Sequence, residues 1–255
     1  MRAYPIGIAG DLAVADLIEG RNAVLEALRS GVRLERIMIA GGLKPNPAVA
    51  EIRALSADAG VAVEEVARGV LDQRSARGAH QGVMAVAVPF VYTELEEVLR
   101  AIEGRPRALV AVLDHVTDPG NLGAIIRSVE VAGGSAVIIP KDRSASIGPV
   151  VHKASAGATA HLPVVRVPNV VQALGVLVDA GLWVCGADER AEADLWSAPL
   201  EGRLALVLGA EGAGLSRLVR ERCDFLVSIP VAGQVTSLNV AQAASVLAFE
   251  WVRRG

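Results

Sequence analysis

Short apolar runs alternate with amphipathic stretches along most of the chain, and the pattern restarts near residue 108. The first part predicts a helix over 20–31 ended by Gly31, strands at 34–40, 61–65 and 83–88, and a helix over 47–59. The second part predicts strands at 108–113, 135–139, 182–185, 204–208 and 225–229, and helices over 121–132, 169–180, 215–222 and 237–253. Continuous apolar runs between helices are typical of a parallel sheet covered on both faces. The sequence therefore predicts a tail (1–16), a small α/β domain (17–89), a charged connection (90–107) and a larger α/β domain (108–255).

Composition and charge narrow the class of protein. Hydrophobic residues make up 52% and charged residues 21% of the 255 positions, which is typical of a chain with a buried core. The formal net charge is -3, whereas many nucleic-acid binders carry a basic excess, so any RNA surface must be a local patch. Lys44, Lys141 and Lys153 are the three lysines among 25 basic residues, and the other 22 are arginines, which suit bidentate phosphate contacts.

Cysteine content and hydropathy bear on the compartment. Cys185 and Cys223 form neither a disulfide framework nor a CxxC metal motif, which favours a reducing compartment. The first residues lack the basic and apolar regions of a signal peptide. Residues 227–249 are uncharged and long enough to span a membrane, but Pro230, Asn239 and three serines suit hydrocarbon poorly. We expect a cytoplasmic protein without membrane association.

A first candidate segment, 113–128, runs from a strand end through a turn into a helix. The apolar residues of that helix share one stripe: Leu122, Ile125, Ile126 and Val129. Arg127 lies off the stripe, and we expect it to project into a crevice at the carboxyl edge of the sheet, where α/β proteins bind ligands. Alternatively, Arg127 is an exposed arginine paired with Glu130. Asn121 is a candidate site residue or only a helix cap.

A second segment, 206–215, reads as a strand, a glycine-rich turn and a helix. Gly209, Gly212 and Gly214 let the backbone approach a ligand closely. Their order is neither the G-x-G-x-x-G of a dinucleotide fold nor a P-loop, and Glu211 in the turn would repel phosphate. The Glu211 carboxylate suits accepting a hydrogen bond from a hydroxyl or orienting an arginine. An ordinary strand-to-helix turn is the other interpretation.

A third segment, 228–244, has a strand that ends at Pro230, a loop, and an apolar helix that starts near Ser237. Ser237 or Asn239 is a candidate cap for that helix. The two polar residues flank Leu238, and this pattern also suits a pocket with an apolar wall and a few placed donors. The sequence alone leaves both interpretations open.

Together, in this order and spacing, the three segments resemble the signature motifs of the SPOUT-class RNA ribose 2′-O-methyltransferases, the SpoU or TrmH family. The matching residues are Asn121, Gly123 and Arg127, then Gly209, Glu211, Gly214 and Leu215, then Ile229, Pro230, Ser237, Leu238, Asn239 and Val240, with Lys153–Ala158 and His161–Pro163 between the first two sets. Residues 19–24 and 80–83 resemble the L30e-like substrate-binding domain of the RlmB group. The resemblance covers about 17–253. It departs at Val129, Val231 and Ala241, where alanine, methionine and serine are usual.

The resemblance implies a catalytic domain with a deep trefoil knot, S-adenosylmethionine as cofactor, and a homodimer. It implies that the cofactor is bound by Leu208, Gly209, Ile229 and Leu238. It assigns Arg127 to activation of the ribose 2′-hydroxyl, with Asn121, Glu211, Ser237 and Asn239 orienting the arginine and the ribose. Because arginine is normally always protonated, Arg127 acts either as a neutral base or as a charged clamp on phosphate and developing alkoxide. No metal is expected, since the four histidines show no ligand spacing.

The L30e-like domain is expected to select the RNA. Its candidate contacts with phosphates or unstacked bases are Arg21, Arg68, Arg74, Arg77, His80 and Gln81, and a solvated face is the alternative for each. The layout resembles enzymes that methylate a guanosine of 23S rRNA. An rRNA adenosine, as in thiostrepton-resistance enzymes, a tRNA, or non-catalytic RNA binding are the alternatives. A nicotinamide-dependent oxidoreductase is disfavoured because its glycine fingerprint is absent.

Overall fold

The structure is a computed structural model that describes residues 17–75 and 78–255. The expected tail, 1–16, and the candidate RNA contact Arg77 lie outside the described residues. The chain divides into two compact units with the boundary between Phe90 and Val91. Each unit has a sheet and a core of its own, and each is described separately.

The first unit holds a four-stranded sheet and three helices. Its elements are β1 (Leu17–Glu19), α1 (Arg21–Arg29), β2 (Leu34–Ala40), α2 (Pro47–Ala59), β3 (Ala62–Val66), α3 (Arg68–Arg74) and β4 (Val83–Ala87). The strand order is β1-β4-β2-β3, in which β4 is antiparallel to β1 and β2 while β2 and β3 are parallel. The carboxyl ends of β1, β2 and β3 and the start of β4 therefore meet at one edge.

Both faces of this sheet are covered because β2 alternates apolar side chains between them. Ile37 and Ile39 pack with α1 and α2 in one cluster, whereas Met38 packs with Leu71 of α3 in another. The start of α2 is fixed locally: the Asn46 side chain accepts a hydrogen bond from the Ala48 amide at 2.9 Å. The predicted strand 34–40 and helix 47–59 are confirmed, while β1 and α3 are additional elements.

The second unit holds a six-stranded sheet. Its elements are α4 (Leu95–Ile102), β5 (Ala108–Asp114), α5 (Pro119–Val131), β6 (Ala136–Pro140), α6 (Pro149–Ser155), a 3-10 turn (Ala158–Ala160), β7 (Val164–Val167), α7 (Val170–Asp179), β8 (Trp183–Ala187), β9 (Arg203–Gly209), α8 (Arg217–Arg220), β10 (Phe225–Val227) and α9 (Val240–Arg253). The strand order is β10-β8-β9-β5-β6-β7, and every neighbouring pair is parallel. The predicted parallel sheet is confirmed. Strand order does not report how the chain is threaded, so the knot stays a prediction.

Helices cover both faces of this sheet. Val110 and Val112 of β5 belong to a cluster with α4 and α7. The alternate β5 residues, such as Leu109, are also fully buried, and α9 contacts the neighbouring β9 while α5 contacts α9. The segment 90–107 does more than connect the units, because α4 adds Leu95 and two further buried residues to the core of the second unit.

The end of α9 is anchored by a buried carboxylate. Glu250 accepts hydrogen bonds from Arg253 at 2.6 and 2.7 Å and from Arg254 at 2.7 Å. These bonds, with Arg253 the largest cause, lower the pKa of Glu250 from its usual 4.5 to about 2. Among the described residues, no helix is both long and apolar enough to cross a membrane.

Candidate active site

The candidate site forms at the carboxyl edge of the parallel sheet in the second unit. Asp114 at the end of β5 is in register with Gly209 at the end of β9, so the loops that follow both strands leave from the same edge. A cavity of about 600 Å³ lies there. Six of the predicted site residues line it: Leu208, Gly209, Glu211, Ile229, Ser237 and Leu238. The cavity therefore joins the second and third sequence segments.

The glycine-rich turn after β9 is closed on itself. The Gly214 amide donates to the Ala210 carbonyl at 2.8 Å, and the Ala210 amide donates back at 3.2 Å. A methyl group at Gly209 would overlap the Gly214 carbonyl group and lie 2.5 Å from the Leu215 nitrogen. Gly212 and Gly214 have φ of 75° and 66°, which L side chains rarely adopt. The turn needs its glycines, and it gives the cavity a wall of backbone.

A polar cluster joins all three segments. The side-chain nitrogen of Asn121 donates to Glu211 Oε1 at 3.2 Å, and the side-chain nitrogen of Asn239 donates to Asn121 Oδ1 at 2.9 Å. Asn239 Nδ2 also donates to Glu211 Oε1. The Glu211 carboxylate thus fixes both amide side chains. We call Asn121, Glu211 and Asn239 the amide–carboxylate triad.

The structure resolves the capping alternatives. Asp118, not Asn121, caps α5, because its carboxylate accepts from the Asn121 backbone amide at 2.7 Å. Asn239 caps α9 through Oδ1, which accepts from the Ala241 amide at 2.8 Å, while its amide nitrogen serves the triad. Asn239 therefore caps α9 and also joins the triad, and it is not among the residues that line the cavity. Ser237 lies before the cap and lines the cavity.

Arg127 lies apart from this cavity within one chain. The apolar stripe of α5 is fully buried as predicted, and Arg127 is exposed beside it. Arg127 is not among the residues that line the cavity, and it has no hydrogen bond or ion pair with any residue of 17–75 or 78–255, so the proposed Glu130 pair is absent there. Contrary to the expectation, Arg127 does not project into the crevice of its own chain. The reason is that α5 leads away from the edge of the sheet by about 1.5 Å per residue.

The structure adds site residues that the sequence analysis did not single out. Asp188 and Arg220 line the cavity, with 3.3 Å between Arg220 Nε and Asp188 Oδ2. Asp114 is buried beneath the site and accepts from the Ser216 amide at 2.7 Å, while His115 Nδ1 lies 2.5 Å from its other oxygen. A signal was available for Asp188: it follows a strand that neighbours β9, so it shares the carboxyl edge.

The candidate RNA contacts of the first unit have different surroundings. Arg21 Nε donates to the Gln81 carbonyl at 3.0 Å, and the Gln81 side chain is exposed on a residue with φ of 50°. Arg74 is exposed and lies 3.2 Å from the sulfur of Met38, and Arg68 is also exposed. Arg21 follows β1, Arg68 follows β3 and Gln81 precedes β4, so these three lie at the edge where β1, β2 and β3 end.

His80 is a correction to the expected RNA contacts. The residue is only 3% exposed, and both ring nitrogens are engaged. Nδ1 accepts from the Gly82 amide at 3.0 Å, so Nε2 carries the proton and donates to Asp72 at 2.8 Å. His80 holds the loop in shape and is unavailable to RNA.

Potential metal ligands and the two cysteine thiols are further groups that could carry chemistry. Over 17–75 and 78–255, no group of three or more His, Cys, Asp or Glu side chains is placed to hold a metal ion. Burial raises the pKa of the Cys185 thiol, with Cys223 as a second cause. Burial, followed by nearby carboxylates, raises the pKa of Cys223 to about 12. Both thiols are protonated at neutral pH, and a protonated thiol is a poor nucleophile.

Comparison with known proteins defines the class. Residues 108–249 match the SpoU rRNA Methylase family, and residues 17–93 match the RNA 2′-O ribose methyltransferase substrate-binding family. A Mycobacterium avium protein named uncharacterized tRNA/rRNA methyltransferase is 41% identical over 239 residues, which cover 94% of this chain and 77% of that one. The first match spans more than half of the chain, and the chain belongs to the SpoU rRNA methylase family.

Solved structures agree with this assignment. The SpoU methyltransferase AviRb from Streptomyces viridochromogenes, in complex with AdoMet, has a TM-score of 0.63 and 29% identity, covering 93% of this chain and 89% of its own. A structure concerned with methylation of C/U34 on tRNA has a TM-score of 0.53 and 27% identity, covering 58% of this chain and 97% of its own. The protein is an S-adenosylmethionine-dependent RNA 2′-O-ribose methyltransferase.

The cavity fits the cofactor of this class. Its volume of about 600 Å³ falls within the range of small-molecule sites. Leu208, Ile229 and Leu238 supply an apolar wall, and the Gly209 turn supplies backbone that a Cβ would obstruct. When bound, S-adenosylmethionine supplies a methyl group on a positively charged sulfur.

Proposed function

We propose that the protein methylates the 2′-hydroxyl of a guanosine in 23S rRNA and that Leu208, Gly209, Ile229 and Leu238 hold its cofactor. The observation that carries the choice of rRNA is the match of residues 17–93, which include the described part of the first unit, to a substrate-binding family. The structure concerned with tRNA is covered almost completely by 58% of this chain. A large part of this chain thus has no counterpart in that structure, and the layout resembles enzymes of large-subunit rRNA.

The amide–carboxylate triad is proposed to orient the ribose. A ribose hydroxyl is a weak nucleophile, so most of the catalysis must come from holding it in line with the methyl group. Glu211 accepts hydrogen bonds from both amides of the triad, which fixes those side chains before substrate arrives. Ser237, which lines the same cavity, is a further hydrogen-bonding group for the ribose.

Arg127 is proposed to act on a neighbouring subunit's site. Arg127 and Val131 lie one turn apart on α5, and Val131 is 62% exposed. α9 packs on α5 through the Ser128–Ser245 hydroxyl pair and exposes Phe249. An apolar surface with one unpaired cation suits a homodimer that brings Arg127 to the partner's cavity. Because arginine is normally always protonated, we favour a clamp on phosphate and developing alkoxide over a neutral base.

The reaction is tested with labelled S-adenosylmethionine and undermodified rRNA. We expect label on one guanosine ribose of 23S rRNA, located by nuclease mapping. Label on an adenosine or on tRNA would leave the reaction intact and refute the substrate. Label on bases alone, or none on rRNA or tRNA, would refute the activity.

The shared site is tested by mixing two inactive variants, Arg127→Ala and Glu211→Gln. If each site uses Arg127 from one chain and Glu211 from the other, random mixing gives half heterodimers with one intact site each, about one quarter of wild-type activity. If both residues act within one chain, every chain in the mixture has an inactive site, so the mixture stays inactive and the shared site is refuted. A dimer that links Arg127→Ala,Glu211→Gln to a wild-type chain decides: it is inactive for a shared site and about half active otherwise.

A further inference from the structure

A second cavity, of about 320 Å³, lies in the first unit at the carboxyl end of β2. Its walls combine apolar side chains, two cations and one carboxylate: Leu43, Pro45, Val49, Lys44, Arg53 and Glu65. The volume is at the lower end of the range for small-molecule sites, which suits one nucleobase. Because the lining combines apolar and charged side chains, it suits a base with its attached phosphates better than a purely apolar ligand.

The cavity is continuous with the edge that carries the candidate RNA contacts. The Ala40 amide donates to the Gly82 carbonyl at 2.8 Å, and a methyl group at Gly82 would lie 2.7 Å from Leu43 Cδ2. Leu43 therefore packs directly against the loop whose Gln81 carbonyl accepts from Arg21. The loop and the cavity therefore adjoin.

Phosphate can be bound here by cationic side chains but not by the backbone amides at the start of α2. Pro47 has no N–H, and the Ala48 amide is already bonded to Asn46. Lys44 is exposed and makes no hydrogen bond or ion pair with a described residue. Arg53 lies 3.7 Å from Glu65, and both side chains are about half exposed. Such an exposed pair is weak, so a ligand separates it at little cost.

The carboxylate selects the kind of base. Ionised Glu65 only accepts hydrogen bonds, so the base must present donors to it. Guanine presents an imino and an amino N–H side by side, which match the two oxygens of one carboxylate. Uracil presents one imino N–H, and adenine and cytosine present only an amino group on the same edge.

We propose that this cavity binds an unstacked guanine base of the RNA substrate, distinct from the ribose that is methylated. Glu65 accepts from the two guanine donors, Leu43 and Val49 pack against the ring, and Lys44 and Arg53 contact the flanking phosphates. Single-stranded RNA is commonly read in this way, by splayed bases whose pairing edge is hydrogen-bonded. The inference rests on the proposed function in requiring an RNA substrate, and it adds a base that the enzyme reads.

The test is the affinity of the full chain for labelled pentaribonucleotides, measured by fluorescence anisotropy. One probe has guanosine at the centre of adenosines, and the others have adenosine or uridine there. We expect the wild type to bind the guanosine probe about tenfold more tightly than the adenosine probe, the lower range for a two-bond base contact. Glu65→Gln should bring the two affinities within about twofold of each other. Glu64→Gln, on the same strand but outside the cavity wall, should keep the preference.

Two further variants separate the parts of the site. Lys44→Ala should weaken the binding of all probes alike. It should also reduce the slope of log affinity against log salt concentration by about one. Val49→Trp, which fills the cavity without changing charge, should abolish the guanosine preference. The inference is overturned if the wild type shows no preference, if it prefers uridine, or if the preference survives in Glu65→Gln or Val49→Trp.

Methyl transfer to rRNA is measured separately on the same proteins. A wild type that methylates rRNA without a guanosine preference overturns this inference alone. A wild type that has the preference but transfers no methyl group contradicts the proposed function alone.

Discussion

Gly209 offers a direct test of the cavity, because its replacement by alanine changes a single methyl group at the wall. That methyl would overlap the Gly214 carbonyl group and sit 2.5 Å from the Leu215 nitrogen. Ordinary contact needs about 3.5 Å, so the turn must open by about 1 Å. Forced packing of this kind costs about 1–3 kcal/mol. For a chain of this size, each kcal/mol lowers Tm by about 2–4 °C.

We expect Gly209→Ala to bind S-adenosylmethionine at least about tenfold more weakly, equivalent to about 1.4 kcal/mol, because the displaced turn no longer fits the cofactor. Calorimetric titration measures the affinity and thermal unfolding measures Tm. Gly175→Ala is the matched control: it lies in α7 with open space around its Cβ. Helix propensity predicts about 1 kcal/mol of added stability there and no change in affinity. A Gly209→Ala protein with wild-type affinity and Tm would refute this account of the turn.

Three further predictions concern the triad, the arginine and the end of α9. Glu211→Gln should lower kcat at least about a hundredfold while Tm changes little, because the neutral amide accepts more weakly than the carboxylate and replaces one acceptor oxygen with a donor; an unchanged kcat in single-turnover assays would contradict the triad's role. Arg127→Ala should abolish turnover with cofactor affinity within about twofold, and retained turnover would reject its assignment. Glu250→Gln should lower Tm at pH 7; since the native pKa is depressed to about 2 from 4.5, this deficit should be constant above about pH 5 and shrink as pH falls toward 2. A deficit independent of pH would exclude the ionised Glu250 as its cause.

Hydrophobic patterning was sufficient to predict the buried strands and most of the parallel sheet. The run 108–113 predicted β5, which spans Ala108–Asp114, because both faces of a central parallel strand are buried. β1 and β7 have three and four residues, too few for periodicity to register, and they depend on pairing with neighbouring strands. α4 did carry a signal in Leu95, Val98 and Ile102, but its charged residues favoured a connection.

Some candidate site residues are positioned by the path of the main chain alone, whereas others depend on the orientation and surroundings of a side chain. Gly209 ends β9 and Leu238 lies in the loop after β10, and both strands run to one edge of a parallel sheet, so motif order predicted their meeting. Arg127 and His80 depend on which way one side chain points and on what packs beside it. Asp72, eight residues before His80, holds that histidine inside, and no periodic pattern reports such a pairing.

The triad also bears on how the active site comes into being during folding. Its two asparagines are 118 positions apart in the chain, and closing a flexible loop of that length costs about 4 kcal/mol in chain entropy. A few hydrogen bonds at the protein surface, each contributing about 1 kcal/mol, do not offset that cost. The collapse of β5 and β9 into adjacent strands must bring the asparagines together first. Catalytic geometry is thus a late product of core formation, and selection can vary these polar groups without endangering the folding pathway.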